Sequence, residues 1–303
     1  MTREELNDGI QKEIIKEQKK ETIKKAIKTT IKSLLIGTIL AIFFFTYTTY
    51  ISTALIKVQE YRIINEKIPP EMKGLKIIHF SDLHLGSSFD IDDMKKVRKL
   101  SNERKPDLVL FTGDLIYKDL EKEKQEDLIK ELKMMKASIG KYAILGDEDN
   151  EKVATIFNQS EFTILRNEYD LIYKEKENPI LLVGISSMLK NQQDLKKAYQ
   201  YFELPTHNSN IYTISMFHEP DLTNDIINSN QTDLLLSGHS HNGQIRIPFL
   251  NKGIIHVEGA KKYNNPHYNI EDKELFISSG LGTKTGFRLF CRPSINFYRL
   301  SNS

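Results

Sequence analysis

Five short polar turns punctuate the chain, each following an apolar run of strand length: Ser81-Asp82-Leu83-His84, Thr112-Gly113-Asp114, Gly146-Asp147-Glu148-Asp149, His218-Glu219-Pro220 and Gly238-His239-Ser240-His241. Carboxylate oxygen and imidazole nitrogen are ligand types for divalent transition metals. Taken singly, each turn is ordinary. A Gly-Asp after a strand is usually a cap or an Asx-turn, and a lone histidine on a strand is usually packed in a core. Three aspartates (Asp82, Asp114, Asp147) and four histidines (His84, His218, His239, His241) at five successive run ends suit a pair of ions instead. Two ions about 3.5–4 Å apart can clamp a phosphate and supply hydroxide at neutral pH.

For these residues to meet, the runs before them must be neighbouring strands. Leu75–Phe80, Leu108–Thr112 and Tyr142–Leu145 alternate with helical patterns at Asp90–Glu103 and Leu120–Ala137. That βαβαβ rhythm predicts a largely parallel sheet. Further strands are expected at Ile180–Ile185, Ile211–Phe217, Asp233–Ser237, Gln244–Ile247, Ile254–Val257, Leu275–Ser278 and Ile295–Leu300, with helices at Gln192–Phe202 and Asp221–Asn228. The density of late strands predicts a second sheet packed on the first. In open α/β sheets the ligand crevice lies beyond the carboxyl ends of strands, where all five turns fall. Gly113, Gly146 and Gly238 permit the tight turns that aim them.

The order DLH, GD, GDED, H and GHSH resembles the calcineurin-like metallophosphoesterases, and within them the bacterial membrane-associated branch. The strings SGHSHNGQIRIP (237–248) and GLGTKTGFRLFCRP (280–293) support that branch, and the likeness covers residues 73–303. It implies a four-layer αββα sandwich with two divalent ions (Mn, Fe or Zn) at the strand ends. One ion would be held by Asp82, His84, Asp114 and His241. The other would be held by Asp114, Asp147, His218 and His239, with Asp114 bridging.

The third turn departs from the family's Asn-His pair. Asp147 is an acceptable oxygen ligand, but Glu148 stands where the resemblance implies a histidine near the leaving group. A carboxylate ionised at about 4.3 supplies neither a cation nor a proton; one with a raised pKa would serve as an acid. An alternative reading is therefore a catalytically impaired homologue that binds a phosphorylated ligand. His79 is expected to pack inside its strand, and His207, His256 and His267 to lie on the surface or in loops. Cys291 is read as a buried small hydrophobe. Arg288 and Arg292 are read either as phosphate contacts or as structural.

Composition sets the location. Residues 1–57 hold 10 Lys+Arg against 6 Asp+Glu, while the rest of the chain is net −2. That balance argues against nucleic acid as a partner and disfavours a secreted nuclease. The single cysteine excludes an internal disulfide. No charge interrupts Leu34–Ile56, a stretch long enough to cross a hydrocarbon core of about 30 Å. A buried core helix and a signal peptide cleaved near Ala54 are the rivals to an uncleaved anchor. Lysines crowd the N-terminal flank, so the positive-inside bias puts the N-terminus in the cytoplasm and the large domain outside the cell membrane. The expected organisation is a basic cytoplasmic amphipathic segment (1–32), a transmembrane anchor (33–56), a connector (57–72) and the phosphoesterase domain (73–303). Its substrate would be a phosphorylated small molecule or lipid.

Overall fold

The computed structural model describes residues 3–229, 231–247, 249–250 and 252–303. Met1 and Thr2 of the basic segment, and Pro248 at the end of the string 237–248, lie outside the described residues. The chain divides into two compact units, residues 1–48 and 49–303.

The first unit is one α-helix, Arg3–Thr46, followed by a π-helical turn beginning at Tyr47. Its polar half carries ion pairs one turn apart, Asp8–Lys12 and Glu21–Lys24, which support an exposed helix. Its apolar half keeps its threonines inside the helical ladder. The hydroxyls of Thr38 and Thr46 donate to the carbonyls of Leu34 and Ile42, four residues back. That back-bonding is how a hydroxyl is accommodated in an apolar span. The helical stretch Leu6–Ala54 is long and apolar enough to cross a membrane.

Among its described residues the second unit holds twelve strands: β1 (Lys57–Ile64), β2 (Lys76–Phe80), β3 (Leu108–Thr112), β4 (Gly140–Ile144), β5 (Thr163–Ile164), β6 (Glu168–Ile172), β7 (Ile180–Gly184), β8 (Thr213–Met216), β9 (Leu234–Ser237), β10 (His267–Ile270), β11 (Lys273–Ile277) and β12 (Ser294–Ser301). They form two six-stranded sheets, ordered β1-β12-β2-β3-β4-β5 and β10-β11-β9-β8-β7-β6. β2 to β5 run parallel, as do β7, β8, β9 and β11. β12 is antiparallel to β2 and carries β1 parallel on its outer side.

Period-two alternation sorts side chains between two layers. Ile77, Leu108 and Leu110 meet Leu182, Ile214 and Leu236 of the other sheet in one buried cluster. Ile78, Phe80, Val109 and Phe111 face away, under the helices Ile91–Glu103, Lys122–Lys133 and Glu151–Gln159. The second sheet's outer face is covered by Ala198, Leu222 and Ile226 of helical segments. The result is the anticipated αββα sandwich, with helices on both outer faces. Local signals fix the helix starts. Asp90 forms a capping box with Asp93, and the Asn150 side chain accepts from Lys152 N.

Several expectations give way. Gln244–Ile247 and Ile254–Val257 are not strands; only isolated bridges, Ile245 with Leu289 and Arg246 with Gly253, form there. Asn242, Gly243 and Gln244 all have φ between 52° and 70°, which coils the chain where a strand would need extended backbone. The helix expected at 192–202 starts only at Leu195, capped by Asp194, and ends at Ala198 before a 3₁₀ turn. Residues 57–72 are not simply a connector, because Lys57–Ile64 form β1 in full register with β12.

Candidate metal centre

Asp82 and His84 follow β2, Asp114 follows β3 and Asp147 follows β4 in one sheet; His218 follows β8, and His239 and His241 follow β9 in the other. The backbone at Asp82, His84, Asp114, His239 and His241 is left-handed, with φ from 42° to 64°. For a non-glycine residue that conformation costs about 1–3 kcal/mol and persists only where the surroundings impose it. Here it turns the chain back over the strand end.

The surroundings are on hand. His239 N donates to both oxygens of Asp82, at 3.2 and 3.0 Å, and so links the two sheets. The buried Asp149 carboxylate accepts from Asp114 N, Leu115 N and Gly146 N at 2.8–2.9 Å, and so fixes the second and third turns together. Burial and the neighbouring Asp114 push the Asp149 pKa up to about 6, against the pull of those three N–H groups. Gly113 does supply a positive φ, at 94°. Gly146 and Gly238 serve differently. A Cβ at Gly146 would lie 2.4 Å from Asp114 Oδ1, and one at Gly238 would lie 2.7 Å from Asp82 Oδ2. Their service is space beside the carboxylates rather than turn geometry.

Hydrogen bonds on the outer ring atoms orient the imidazoles. His218 Nδ1 bonds Thr112 O at 2.6 Å, so its N–H lies there and the Nε2 lone pair faces inward. His239 Nε2 bonds Glu258 O at 2.6 Å, which turns Nδ1 inward. Outer-ring partners of this kind set tautomer and direction in metal-ligating histidines. The inward atoms crowd together. His218 Nε2 and His239 Nδ1 are 3.2 Å apart, and each is 3.1 Å from Asp147 Oδ1. His84 Nε2 and His241 Nε2 are also 3.2 Å apart, with Asp82 Oδ1 3.9 and 3.6 Å away.

Asp114, Asp147, His218 and His239 converge within 4.8 Å, as do Asp82, His84 and His241. Asp114 Oδ2 reaches into both groups, 3.4 Å from His218 Nε2 and 3.7 Å from His84 Nε2. Lone pairs gathered this closely repel one another unless a cation lies among them. The hard-oxygen and imidazole donor set fits a divalent transition metal. Burial, His84 and Arg288 hold the His241 pKa well below its usual value, whereas, against burial, the surrounding carboxylates raise those of His218 and His239.

All seven expected ligand positions are thus drawn together as two groups meeting at Asp114, the arrangement of a binuclear centre. Glu148 lies at the rim. Its Oε2 is 3.4 Å from His84 Nδ1, and its Oε1 forms an ion pair with Lys284. Burial works to raise the Glu148 pKa, but His84 and Lys284 outweigh it and hold the carboxyl below its ordinary range. Glu148 is accordingly a carboxylate at neutral pH.

Arg288 is fully buried and donates to the carbonyls of Ser279, Gly280, Gly282 and Cys291, so it belongs to the framework. Arg292 donates to Leu55 O. His79 packs between Tyr298 and Thr112, and Cys291 is buried. Lys284 and Asp149 escaped the sequence reading. Asp149 was visible as a second acid in the third turn, and Lys284 as the lone charge in GLGTKTG.

Comparison with known proteins supports the same picture. The profile described as calcineurin-like phosphoesterase matches residues 75–243. The chain is 30% identical over 266 residues to the uncharacterized metallophosphoesterase YkuE of Bacillus subtilis, covering 85% of this chain and 90% of that one. It is 25% identical over 231 residues to the phosphodiesterase YaeI of Escherichia coli, covering 74% and 82%. It is 26% identical over 283 residues to the UDP-2,3-diacylglucosamine pyrophosphatase LpxG of Chlamydia muridarum, covering 75% and 84%. The family match spans more than half the chain and all five ligand turns, and the chain belongs to the calcineurin-like phosphoesterases, enzymes of metal-dependent phosphoester hydrolysis.

Proposed function

We propose that this protein is a membrane-anchored hydrolase whose substrates are phosphoesters carried by lipids or other envelope components. In this reading Asp82, His84, Asp114 and His241 hold one ion (Mn, Fe or Zn), and Asp114, Asp147, His218 and His239 hold the second. The observation that carries it is the pair of donor groups with Asp114 Oδ2 between them, 3.4 Å from His218 Nε2 and 3.7 Å from His84 Nε2. When bound, two divalent ions supply Lewis acidity to a phosphoryl group and activate water at neutral pH. The chain's own contribution is to hold the donors in place before substrate arrives. Thr112 O and Glu258 O keep two rings turned inward, and Asp149 clamps two of the turns. Such preorganisation lowers the cost of charge development in the transition state.

Lys284 offsets the Glu148 carboxylate at the rim, where negative charge would build on a departing oxygen. Residues 1–32 would lie in the cytoplasm, 33–56 in the bilayer and the catalytic domain outside, in keeping with the lysine-rich flank. LpxG, a relative named for a lipid-linked pyrophosphate substrate, supports the lipid class. Glu148 motivates a second reading, a metal-holding homologue that binds a phosphorylated ligand without turnover.

The test uses the full chain in detergent with manganese. Metal analysis should find close to two ions per chain, and bis(p-nitrophenyl) phosphate and lipid-linked phosphoesters should be cleaved. Two bound ions with no turnover of any ester would establish the second reading. No bound ion would sink both.

A further inference from the structure

Beside the metal centre the chain exposes an apolar loop. Ile247, Phe249, Leu250 and Ile254 are all solvent-exposed, and Phe249 is fully so. The loop is shaped by Leu250 N donating to Ile247 O and Ile254 N donating to Ile245 O. It is joined to residues 288–293 by Arg246 N donating to Leu289 O, which brings up the exposed Phe290. Scattered exposed apolar residues are ordinary, but a contiguous set marks an interaction surface.

Two observations identify what that surface meets. The first is chain topology. β1 begins at Lys57, just after the membrane-length stretch ends at Ala54. β1 is parallel to β12, and β12 is antiparallel to β2. The start of β1 therefore lies at the carboxyl ends of β2 to β4, the side that bears the metal ligands. The second is direct contact. Lys57 N donates to Pro293 O, and Arg292 Nε donates to the carbonyl of the exposed Leu55. Residues just after Phe290 thus touch the segment where the chain leaves the span, and in the same stretch Cys291 Sγ donates to His241 O. Apolar tip, chain exit and metal centre share one side of the domain. Exposed Lys57, Lys252 and Arg292 border the tip with positive charge, which suits anionic headgroups.

We propose that the tip formed by Ile247, Phe249, Leu250 and Ile254, with Phe290 and Leu55 beside it, inserts into the bilayer surface. It would then present the metal centre to phosphoesters lying at that surface. The inference rests on the anchored reading above and not on turnover. Aromatic and aliphatic side chains flanked by lysine and arginine are the composition that settles at a lipid interface.

The chain contains no tryptophan, so a single introduced one reports its own surroundings. Full-length Phe249→Trp is reconstituted in vesicles of phosphatidylethanolamine and phosphatidylglycerol, with and without brominated acyl chains. Brominated lipid should quench its emission about twofold or more, with a blue shift, as expected for an interfacial side chain. Tyr173→Trp should be unquenched, because that exposed residue precedes the amino end of β7, the side away from the centre. Phe45→Trp, within the apolar helix, monitors the anchor. Quenching at Phe45→Trp without quenching at Phe249→Trp overturns the docking and leaves the anchor standing. No quenching at either position overturns both. A blue-shifted Phe249→Trp that brominated lipid does not quench is covered by protein instead, and this too overturns the proposal.

Discussion

At the floor of the metal centre Asp82, His84, Asp114 and His218 are at most 2% exposed, and backbone groups fix Asp82, Asp114 and His218. At the rim Glu148 and Lys284 are partly open to solvent and hold chiefly each other. The floor has been made rigid at the expense of five left-handed residues. The rim has not, and a partly exposed ion pair is worth about 0–1 kcal/mol. The difference separates two tasks. Holding cations needs donors that cannot move, whereas accommodating a substrate's charge and leaving group tolerates side chains that can. Substitutions in the two regions should therefore fail in different ways.

Asp114→Ala strikes the floor hardest. It removes a carboxylate that reaches both donor groups, and the acceptor of Glu148 N. Loss of an outer-shell partner typically costs 10–100-fold in metal affinity or activity, so loss of a shared ligand should exceed about 10²-fold on every ester. Metal content should fall with activity. A variant that keeps both ions and its rate would show that the floor is not a metal site.

Asp149→Ala tests whether the floor depends on its support. Three buried N–H groups would lose their acceptor, at about 1–3 kcal/mol for each one left unsatisfied. The expected result is a lower melting temperature together with a roughly 10–100-fold weaker hold on manganese. If the melting temperature falls while metal affinity stays constant, the clamp serves the fold alone.

Lys284→Ala moves the test to the rim. Without the lysine the Glu148 carboxylate is uncompensated and opposes charge on a poorly leaving alkyl oxygen, whereas an aryl ester departs readily as an anion. The rate on alkyl esters should drop about tenfold, equivalent to about 1.4 kcal/mol, with aryl esters nearly unchanged. Both ions should stay bound. Equal losses on the two ester classes would place Lys284 in the floor's machinery rather than at the leaving group.

The same contrast explains what the sequence disclosed. The candidate floor was legible because Asp and His are metal-ligand types and each of these follows a strand, and apolar runs such as Leu108–Thr112 show where strands end. The rim depends on a lysine over a hundred residues from its partner, a contact with no periodic or local signature. The strands that went unread, β1, β5, β6 and β10, are the edge strands of the two sheets, with mixed polar and apolar residues. Edge strands bury less, so their alternation is weak. The expected strands at 244–247 and 254–257 failed for the opposite reason. Their apolar residues read as core, but several of them face solvent in the exposed loop.

The smallest effect is expected from Glu148→Gln, and it bears on the choice between monoester and diester. In the native rim the Glu148 carboxylate neutralises Lys284, so the pair contributes little net field at the substrate position. Gln keeps the size of the side chain and removes its charge, leaving the lysine cation uncompensated. A phosphomonoester dianion carries about twice the charge of a diester and should gain more from the freed cation. KM for p-nitrophenyl phosphate should fall a few-fold, roughly the scale of one partly exposed ion pair, while KM for bis(p-nitrophenyl) phosphate changes less. The gain should shrink as salt is added, because screening shortens the reach of an exposed charge. Metal content should change little, since the Glu148 carboxylate touches the outer nitrogen of His84 and pairs with Lys284. If KM rises for both esters and manganese is lost, Glu148 is instead holding that ring in place. The boundary between a rigid floor and a tunable rim would then have to be redrawn to include it.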